Sequence, residues 1–321
     1  MRYRSLTGAA AIVAALLLVQ GAARAQNYPD RSVKILIAFP AGGTIDTLGR
    51  ILAQKMSEAW GQSVVVENRP GAGGNIGAAA AAQAAPDGYT LHFGAQTLGV
   101  NVTIAPYQNF DPVKDFEPII LAATATDTLV VPLTSPFQTV KQLIDYAKAH
   151  PGELNYGSLG VGTSSHLSTV QFADAVGIKL QHVPYTGFAQ TTTDLIAGRL
   201  ALWMPTLGGS FGNVQSGKMR ALAISGPTRA QNLPDIPTFK ELGIEFEESS
   251  WYAFFAPKGT PKAVVDKVNR DVDRMLTLPD VKAKGVTLGY RFVGGRPEKL
   301  AQFLNSEIAK WAEFAKRGSL K

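Results

Sequence analysis

An α/β protein of two domains is predicted for this chain of 321 residues, on three observations. Short apolar runs bounded by Gly or Pro alternate with segments of helical period, the pattern of layered sheets and helices with mainly parallel strands. Without its first 25 residues the chain still has 296, more than one hydrophobic core usually serves. Two apolar runs, 128–132 and 251–257, lack an obvious crossover helix before them and stand at the two ends of a middle block. They read as the crossings between the domains.

The elements follow in order. Arg2 and Arg4 precede an apolar stretch at 9–19, and Ala23-Arg24-Ala25 fits a small-x-small cleavage site. Residues 1–25 therefore read as a secretory signal peptide cleaved near Ala25, which sends the mature chain out of the cytoplasm. The run 33–39 reads as a buried strand, and Ile45, Leu48, Leu52, Met56 and Ala59 mark one face of the helix after it. Strands are expected at 64–67 and 90–93, with the alanine-rich stretch 78–85 helical. In the middle block, Val140, Leu143, Ile144 and Ala147 mark a helix. Strands follow at 154–157, 181–183, 200–203 and 220–224. Thr260-Pro261 caps a helix through Met275, and Leu300, Leu304, Ile308, Trp311 and Phe314 mark the last one. The expected boundaries are 26–126 with 252–321 for lobe 1 and 127–251 for lobe 2.

Composition excludes several classes. No cysteine is present, so disulfides, thiolate metal sites and a lipid-anchored cysteine are out. Lys and Arg number 31 against 25 Asp and Glu, a balance of +6. Residues 1–25 hold three arginines and no acid, so the mature balance is +3. No basic block appears, and nucleic acid is not an expected partner. The four histidines, His92, His150, His166 and His182, lack metal-ligand spacing. No metal or cofactor is expected.

Two motifs invite chemistry and fail on order. Residues 208–212 match the G-x-S-x-G elbow around Ser210, but every histidine precedes Ser210, against hydrolase order. A surface loop is the expected reading. Residues 71–77 brush against G-x-G-x-x-G, but Ile76 stands where the third glycine belongs.

The turns carry more information. Gly42-Gly43-Thr44 follows the first strand and opens a helix, and Gly162-Thr163-Ser164 repeats the arrangement in the middle block. Each offers free amides, a hydroxyl and the positive end of a helix dipole, which suit an anion. Ordinary capping would use the same residue types. Their places after strand ends in two domains favour a ligand. Asp46 falls in the first helical turn, where an acid is electrostatically favoured and could also fix the turn. His166 falls in the first turn of its own helix, beside Ser164 and Ser165, in a packing or ligand role.

These residues resemble a known family, the Bug-type extracytoplasmic receptors of tripartite tricarboxylate transporters. Its opening pattern P-x-G-G-x-x-D-x-x-x-R is met by Pro40, Gly42, Gly43, Asp46 and Arg50. Its next signature runs from Val66-Glu67-Asn68-Arg69 to Gly71-Ala72-Gly73-Gly74-Asn75-Ile76-Gly77. Pro86-Asp87-Gly88-Tyr89-Thr90, Val183-Pro184-Tyr185 with Gly187, and Leu233-Pro234-Asp235-Ile236-Pro237-Thr238 continue it. The likeness runs over essentially the whole mature chain.

The resemblance implies a two-lobed type II periplasmic binding protein, a Venus flytrap with mixed, mostly parallel sheets and two crossover strands. It implies a monomer that closes on a small carboxylate, often a dicarboxylate, and delivers it to membrane transporter subunits. Amides, hydroxyls and waters would hold the ligand. Carried over, the first-lobe contacts are Ala41, Gly42, Gly43, Thr44 and Asp46. The second-lobe contacts are Ser158, Gly162, Thr163 and Ser164, with Tyr185 near the cleft; His166 joins them from its own reading. The chain departs from the pattern at Thr186, where the family usually has lysine, and at Ala201 and Pro205, where it commonly has aspartates. Lost acids argue against an ammonium-bearing ligand. Trp203 and Met204 would suit an apolar or aromatic body, and Trp203 is equally suited to the core. The expected function is periplasmic capture of a dicarboxylate or aromatic acid, with no enzymatic turnover. The same fold could instead report its ligand to a membrane sensor.

Overall fold

A computed structural model describes residues 28–105, 109–245 and 250–317. The expected signal peptide lies outside the described residues. Among those described, no helix is long and apolar enough to cross a membrane.

Two sheets organise the chain. The first has six strands in the order β11-β4-β10-β3-β1-β2, and the second has five in the order β7-β6-β8-β5-β9. In the first lie β1 (Val33–Ile37), β2 (Val64–Asn68), β3 (Thr90–Ala95), β4 (Phe116–Ala125), β10 (Ser250–Pro257) and β11 (Tyr290–Phe292). In the second lie β5 (Thr128–Pro132), β6 (Asn155–Ser158), β7 (Gln181–Pro184), β8 (Leu202–Trp203) and β9 (Met219–Ile224). Helices α1 (Thr44–Trp60), α2 (Asn75–Ala82) and α3 (Thr97–Ile104) belong to the first half of the chain. Next come α4 (Val140–Ala149), α5 (Ser164–Val176), α6 (Phe188–Ile196) and α7 (Leu207–Gln215). The tail holds α8 (Lys262–Met275), α9 (Pro279–Leu288) and α10 (Pro297–Lys316).

Most expected elements form where the apolar period places them. The sheets, however, are mixed and not mostly parallel. Parallel pairing joins β1 to β2 and β3, and β6 to β7 and β8. Each antiparallel pairing involves β4, β5 or β10, the strands next to the passages between sheets. A strand that arrives from the other sheet has no crossover helix to turn it parallel. Sequence reading also missed β4. Its apolar text runs on into β5, a strand of the other sheet, with only Thr126 and Asp127 between.

Each sheet has its own core. Val33, Ile35, Ile37, Leu48, Phe93 and Phe254 anchor the first. Leu129, Leu143, Phe172, Leu202 and Phe239 anchor the second. A small apolar cluster joins the lobes, where Leu167 of α5 packs with Val100 of α3 and Trp311 of α10. Asp127, fully buried at the passage, accepts hydrogen bonds from Ser168 Oγ at 2.6 Å and Ser250 Oγ at 2.8 Å. One side chain thus ties both passages to α5.

Gly77 shows why a motif glycine is there. A Cβ at this position would meet the Ala38 Cα at 2.7 Å and the Arg69 carbonyl oxygen at 2.6 Å. Only a bare Cα lets α2 lie this close to the end of β1.

Candidate ligand-binding cleft

A cleft of about 480 Å³ opens between the lobes, a size suited to a small molecule. Its first-lobe wall includes Phe39, Pro40, Ala41, Gly42, Gly43 and Thr44, with Ala95, Gln96 and Tyr252 behind. Its second-lobe wall includes Thr163, Ser164, Ser165, Phe188, Trp203 and Thr206. No lining residue is charged, acidic or basic.

Helix ends take the place of charges. Helices α1, α3, α5, α6 and α7 all begin at the cleft, since Gly43, Gln96, Thr163, Gly187 and Thr206 are both their N-caps and lining residues. None of these five ends has a side-chain cap. Away from the cleft, α4 is capped by the Thr139 side chain, which accepts from the Gln142 amide. An uncapped first turn leaves amides without acceptors and carries the positive end of the dipole. Each such end favours an anion by ~0.3–1 kcal/mol, more when water is excluded.

The first-lobe turn is held from behind. Gly42 has φ of +83°, which the absence of a Cβ permits. Its amide donates to Asp46 Oδ2 at 2.9 Å. Arg50 Nε donates to the same oxygen at 2.9 Å, and Asn68 Nδ2 donates to Asp46 Oδ1 at 2.9 Å. Asn68 Nδ2 also reaches the Phe39 carbonyl at 3.0 Å. Burial raises the Asp46 pKa, but the bonds from Arg50, Gly42 and Asn68 outweigh it and leave the carboxyl below its ordinary range. Asp46 is therefore an ionised clamp on the turn. Three motif residues of the sequence, Asp46, Arg50 and Asn68, form one network.

The second-lobe turn is held by neutral groups. The Gly160 amide donates to Ser158 Oγ at 3.0 Å, and the same hydroxyl pairs with His182 Nε2 at 2.6 Å. The Gly162 amide donates to His166 Nδ1 at 3.3 Å, and the His166 and His182 rings lie 4.6 Å apart. Burial, with His182 beside it, lowers the His166 pKa to about 4, so the ring is neutral. Ser165 Oγ accepts from the Leu159 amide at 3.1 Å.

The expected site residues separate into two groups. Ala41, Gly42, Gly43, Thr44, Thr163, Ser164 and Trp203 line the cleft. Asp46, Ser158 and His166 do not; they stand one layer back and shape the turns. Gly162 faces the other lobe, where a Cβ would meet Ile104 Cδ1 at 2.8 Å and Asn101 Oδ1 at 3.2 Å. Tyr185 turns away, its hydroxyl donating to Asp194 Oδ2 at 2.8 Å, and Thr186 and Gly187 take its place in the lining. Met204 is buried in the second core rather than in the cleft. Trp203 does both jobs: it is buried on Phe188, with ring centroids 4.8 Å apart, and lines the cleft. The expected surface loop around Ser210 is instead helix α7, where a buried Ser210 Oγ donates to backbone carbonyls.

Sequence reasoning missed Gln96, Thr206, Phe188 and Tyr252. Thr206 Oγ1 lies 2.7 Å from Thr44 Oγ1, a hydroxyl pair that spans the lobes. Pro205-Thr206 before a Gly-rich helix start was a usable N-cap signal. Gln96 follows directly on β3, a strand that the sequence reading stopped at Phe93.

The model of the tripartite tricarboxylate transporter family receptor, TctC, matches residues 48–320. The chain is 38% identical over 305 residues to the UPF0065 protein in the tcbD-tcbE intergenic region of Pseudomonas sp. (strain P51), covering 94% of this chain and 91% of that one. It is similar to the structure of R. palustris Rpa4515 with adipate, with a TM-score of 0.85 and 35% identity over 91% of this chain and 98% of that one. It is also similar to MatC (Rpa3494) from Rhodopseudomonas palustris with bound malate, with a TM-score of 0.80 and 30% identity over 92% and 100%. The matched family is one of binding proteins, not enzymes. The chain therefore belongs to the TctC, or Bug, family of periplasmic solute-binding receptors of tripartite tricarboxylate transporters.

Proposed function

We propose that the protein captures a small organic carboxylate that bears no ammonium group, and that it delivers this acid to the membrane subunits of a tripartite transporter. One observation carries the reading: five uncapped helix N-termini meet in a cleft whose lining has no charged side chain. The amides supply donors and positive potential for an anion. The lack of an acid leaves an ammonium group unpaired and desolvated, which is costly. Phe39, Phe188 and Trp203 suit an apolar or aromatic body. Adipate in one relative and malate in another support the ligand class.

The ligand-binding residues in this reading are those in the cleft wall, with Asp46, Ser158 and His166 as positioning residues. The lobe boundaries are a proposal as well. The change of sheet between Ala125 and Thr128 supports a boundary at 126. Ser250 and Trp251 already pair with β4, so the return is better drawn between 245 and 250 than at 251.

A thermal-shift screen of the mature chain tests the reading. The panel holds aliphatic dicarboxylates, hydroxy acids, aromatic acids and acidic amino acids. A binder at 100 times its Kd adds ~2.7 kcal/mol to stability, a visible rise in Tm. Acids without an amino group are expected to give the shift. A response confined to amino acids, or no response to any acid, would refute the assignment.

A further inference from the structure

Residues 71–77, the glycine-rich motif that fails as a nucleotide fingerprint, lie outside the cleft lining. Four successive residues there have positive φ: Gly71 at +131°, Ala72 at +48°, Gly73 at +62° and Gly74 at +96°. Ala72 has a Cβ and is strained in this conformation. The turn presents acceptors to one side chain. Asn101 of α3, 3% exposed, donates from Nδ2 to the Gly73 carbonyl oxygen at 3.2 Å and to Asn75 Oδ1 at 2.7 Å. A carbonyl oxygen only accepts, so the Asn101 amide is oriented with its nitrogen toward the turn. The same cluster meets the second lobe. A Cβ at Gly162 would stand 2.8 Å from Ile104 Cδ1, 3.2 Å from Asn101 Oδ1 and 3.6 Å from Val100 Cγ1. A Cβ at Gly73 would stand 3.6 Å from the Val161 carbonyl oxygen. The backbone of the second-lobe turn therefore lies directly against Gly73 and α3 of lobe 1.

This seam differs from the passages between the sheets, such as Ala125 to Thr128, where the chain itself ties the lobes. Asn101 and the 160–162 turn are joined by no short connection, so their contacts break when the lobes part. The turn runs on into Thr163 and Ser164, which line the cleft at the start of α5. Ser158 and His166 hold it from within lobe 2, and α3 of lobe 1 closes on its other side. Resting on the carboxylate reading above, we infer that Asn101, oriented by the 71–75 turn, is a positioning residue that seats the 160–162 turn against lobe 1 and keeps the lobes shut on the bound acid. Asn101 itself is outside the cleft lining. It acts on the shut state, which an acid must leave in order to dissociate, and so it slows departure more than entry.

Stopped-flow kinetics on the mature chain separate the two steps, with adipate, malate and benzoate as probes. For each probe that binds, Asn101→Ala should raise koff at least about tenfold while kon stays within about threefold, since a lost polar contact across the seam weakens only the shut state. Ile104→Ala leaves the Asn101 bonds in place and removes the apolar part of the seam. It should also raise koff, and it decides the matter if Asn101→Ala does not fold. A side chain that only stabilised lobe 1 would lower Tm and leave both rate constants alone. A second readout needs no acid. The chain has no cysteine, so spin labels at Lys148→Cys in lobe 2 and Lys282→Cys in lobe 1, both exposed positions, report the interlobe distance without background. Asn101→Ala should move that distribution to longer distances. An unchanged koff, or an unchanged distance distribution, overturns the inference, and tight binding of any probe then leaves the carboxylate reading standing. If no probe binds, the carboxylate reading falls and the distance distribution alone decides the role of the seam.

Discussion

Asp46, Arg50 and Asn68 hold the 40–46 turn through an ionised carboxylate, whereas Ser158, His166 and His182 hold the 158–166 turn through a hydroxyl and neutral rings. Both turns end in an uncapped helix start that faces the same cleft. The difference teaches that ligand geometry does not dictate the support beneath it. A left-handed Gly42 amide can be pinned by a carboxylate, and a left-handed Gly162 amide by an imidazole nitrogen. The two supports answer differently to acid and to substitution, which makes the comparison testable.

The largest effect is expected at the first turn itself. Gly43 has φ of −77°, so a side chain meets no backbone strain, and its Cβ would touch only the Pro40 carbonyl oxygen, at 3.7 Å. Gly43→Val should therefore fold, at a cost of about 1 kcal/mol for a poorer N-cap. Its branches fill space where the anion approaches, and affinity should fall at least about 100-fold in a calorimetric titration. A loss of stability that matches the loss of affinity would show that the turn is a folding element only.

Next comes the pH response of the second turn. The His166 pKa is about 4 in the folded chain and about 6.5 unfolded, so between these values the unfolded chain binds the extra proton. The stabilisation is fully present above about pH 6.5 and declines as pH falls toward 4. From pH 7 to pH 5 it should drop by about 2 kcal/mol. His92, buried under the first sheet with its pKa also lowered by burial to about 4, adds a similar loss. Denaturant melts of His166→Asn should lack the His166 share and keep the rest. Equal pH dependence in the variant and the parent would contradict a buried neutral His166.

A smaller effect is expected at Asp46. Its folded pKa is lowered, so its contribution is present above about pH 3.9 and lost only below it. Acidification to pH 5 should leave the first turn untouched. Asp46→Asn keeps an acceptor for Gly42 but loses the charge that Arg50 faces, and should weaken affinity about tenfold with the fold intact. An unchanged Kd would mean that the turn keeps its shape without the clamp.

How much of this was legible depended on whether the signal was local. The Gly42-Gly43 turn and Asp46 could be read because strand, glycines and first-turn acid follow one another in sequence. The α/β class followed from the alternation of apolar runs and helical periods, and the two-lobed form from the family resemblance. The direction of a side chain did not. Tyr185 next to Thr186, and Ser158 next to Leu159, differ in facing the cleft, and that follows from the pleat and the turn. Gln96 and Tyr252 were out of reach for another reason: they come together through β3 and β10, paired at Tyr252 and Ala95 across more than 150 residues.

The central claim is that one carboxylate is held by helix N-termini of both lobes. Amide-resolved NMR of the mature chain, titrated with the tightest acid of the screen, tests it most directly. The account predicts the largest shifts at the first-turn amides of both α1 and α5, those of Thr44, Ile45, Ser164 and Ser165. Shifts at neither helix start, or at only one, would contradict it.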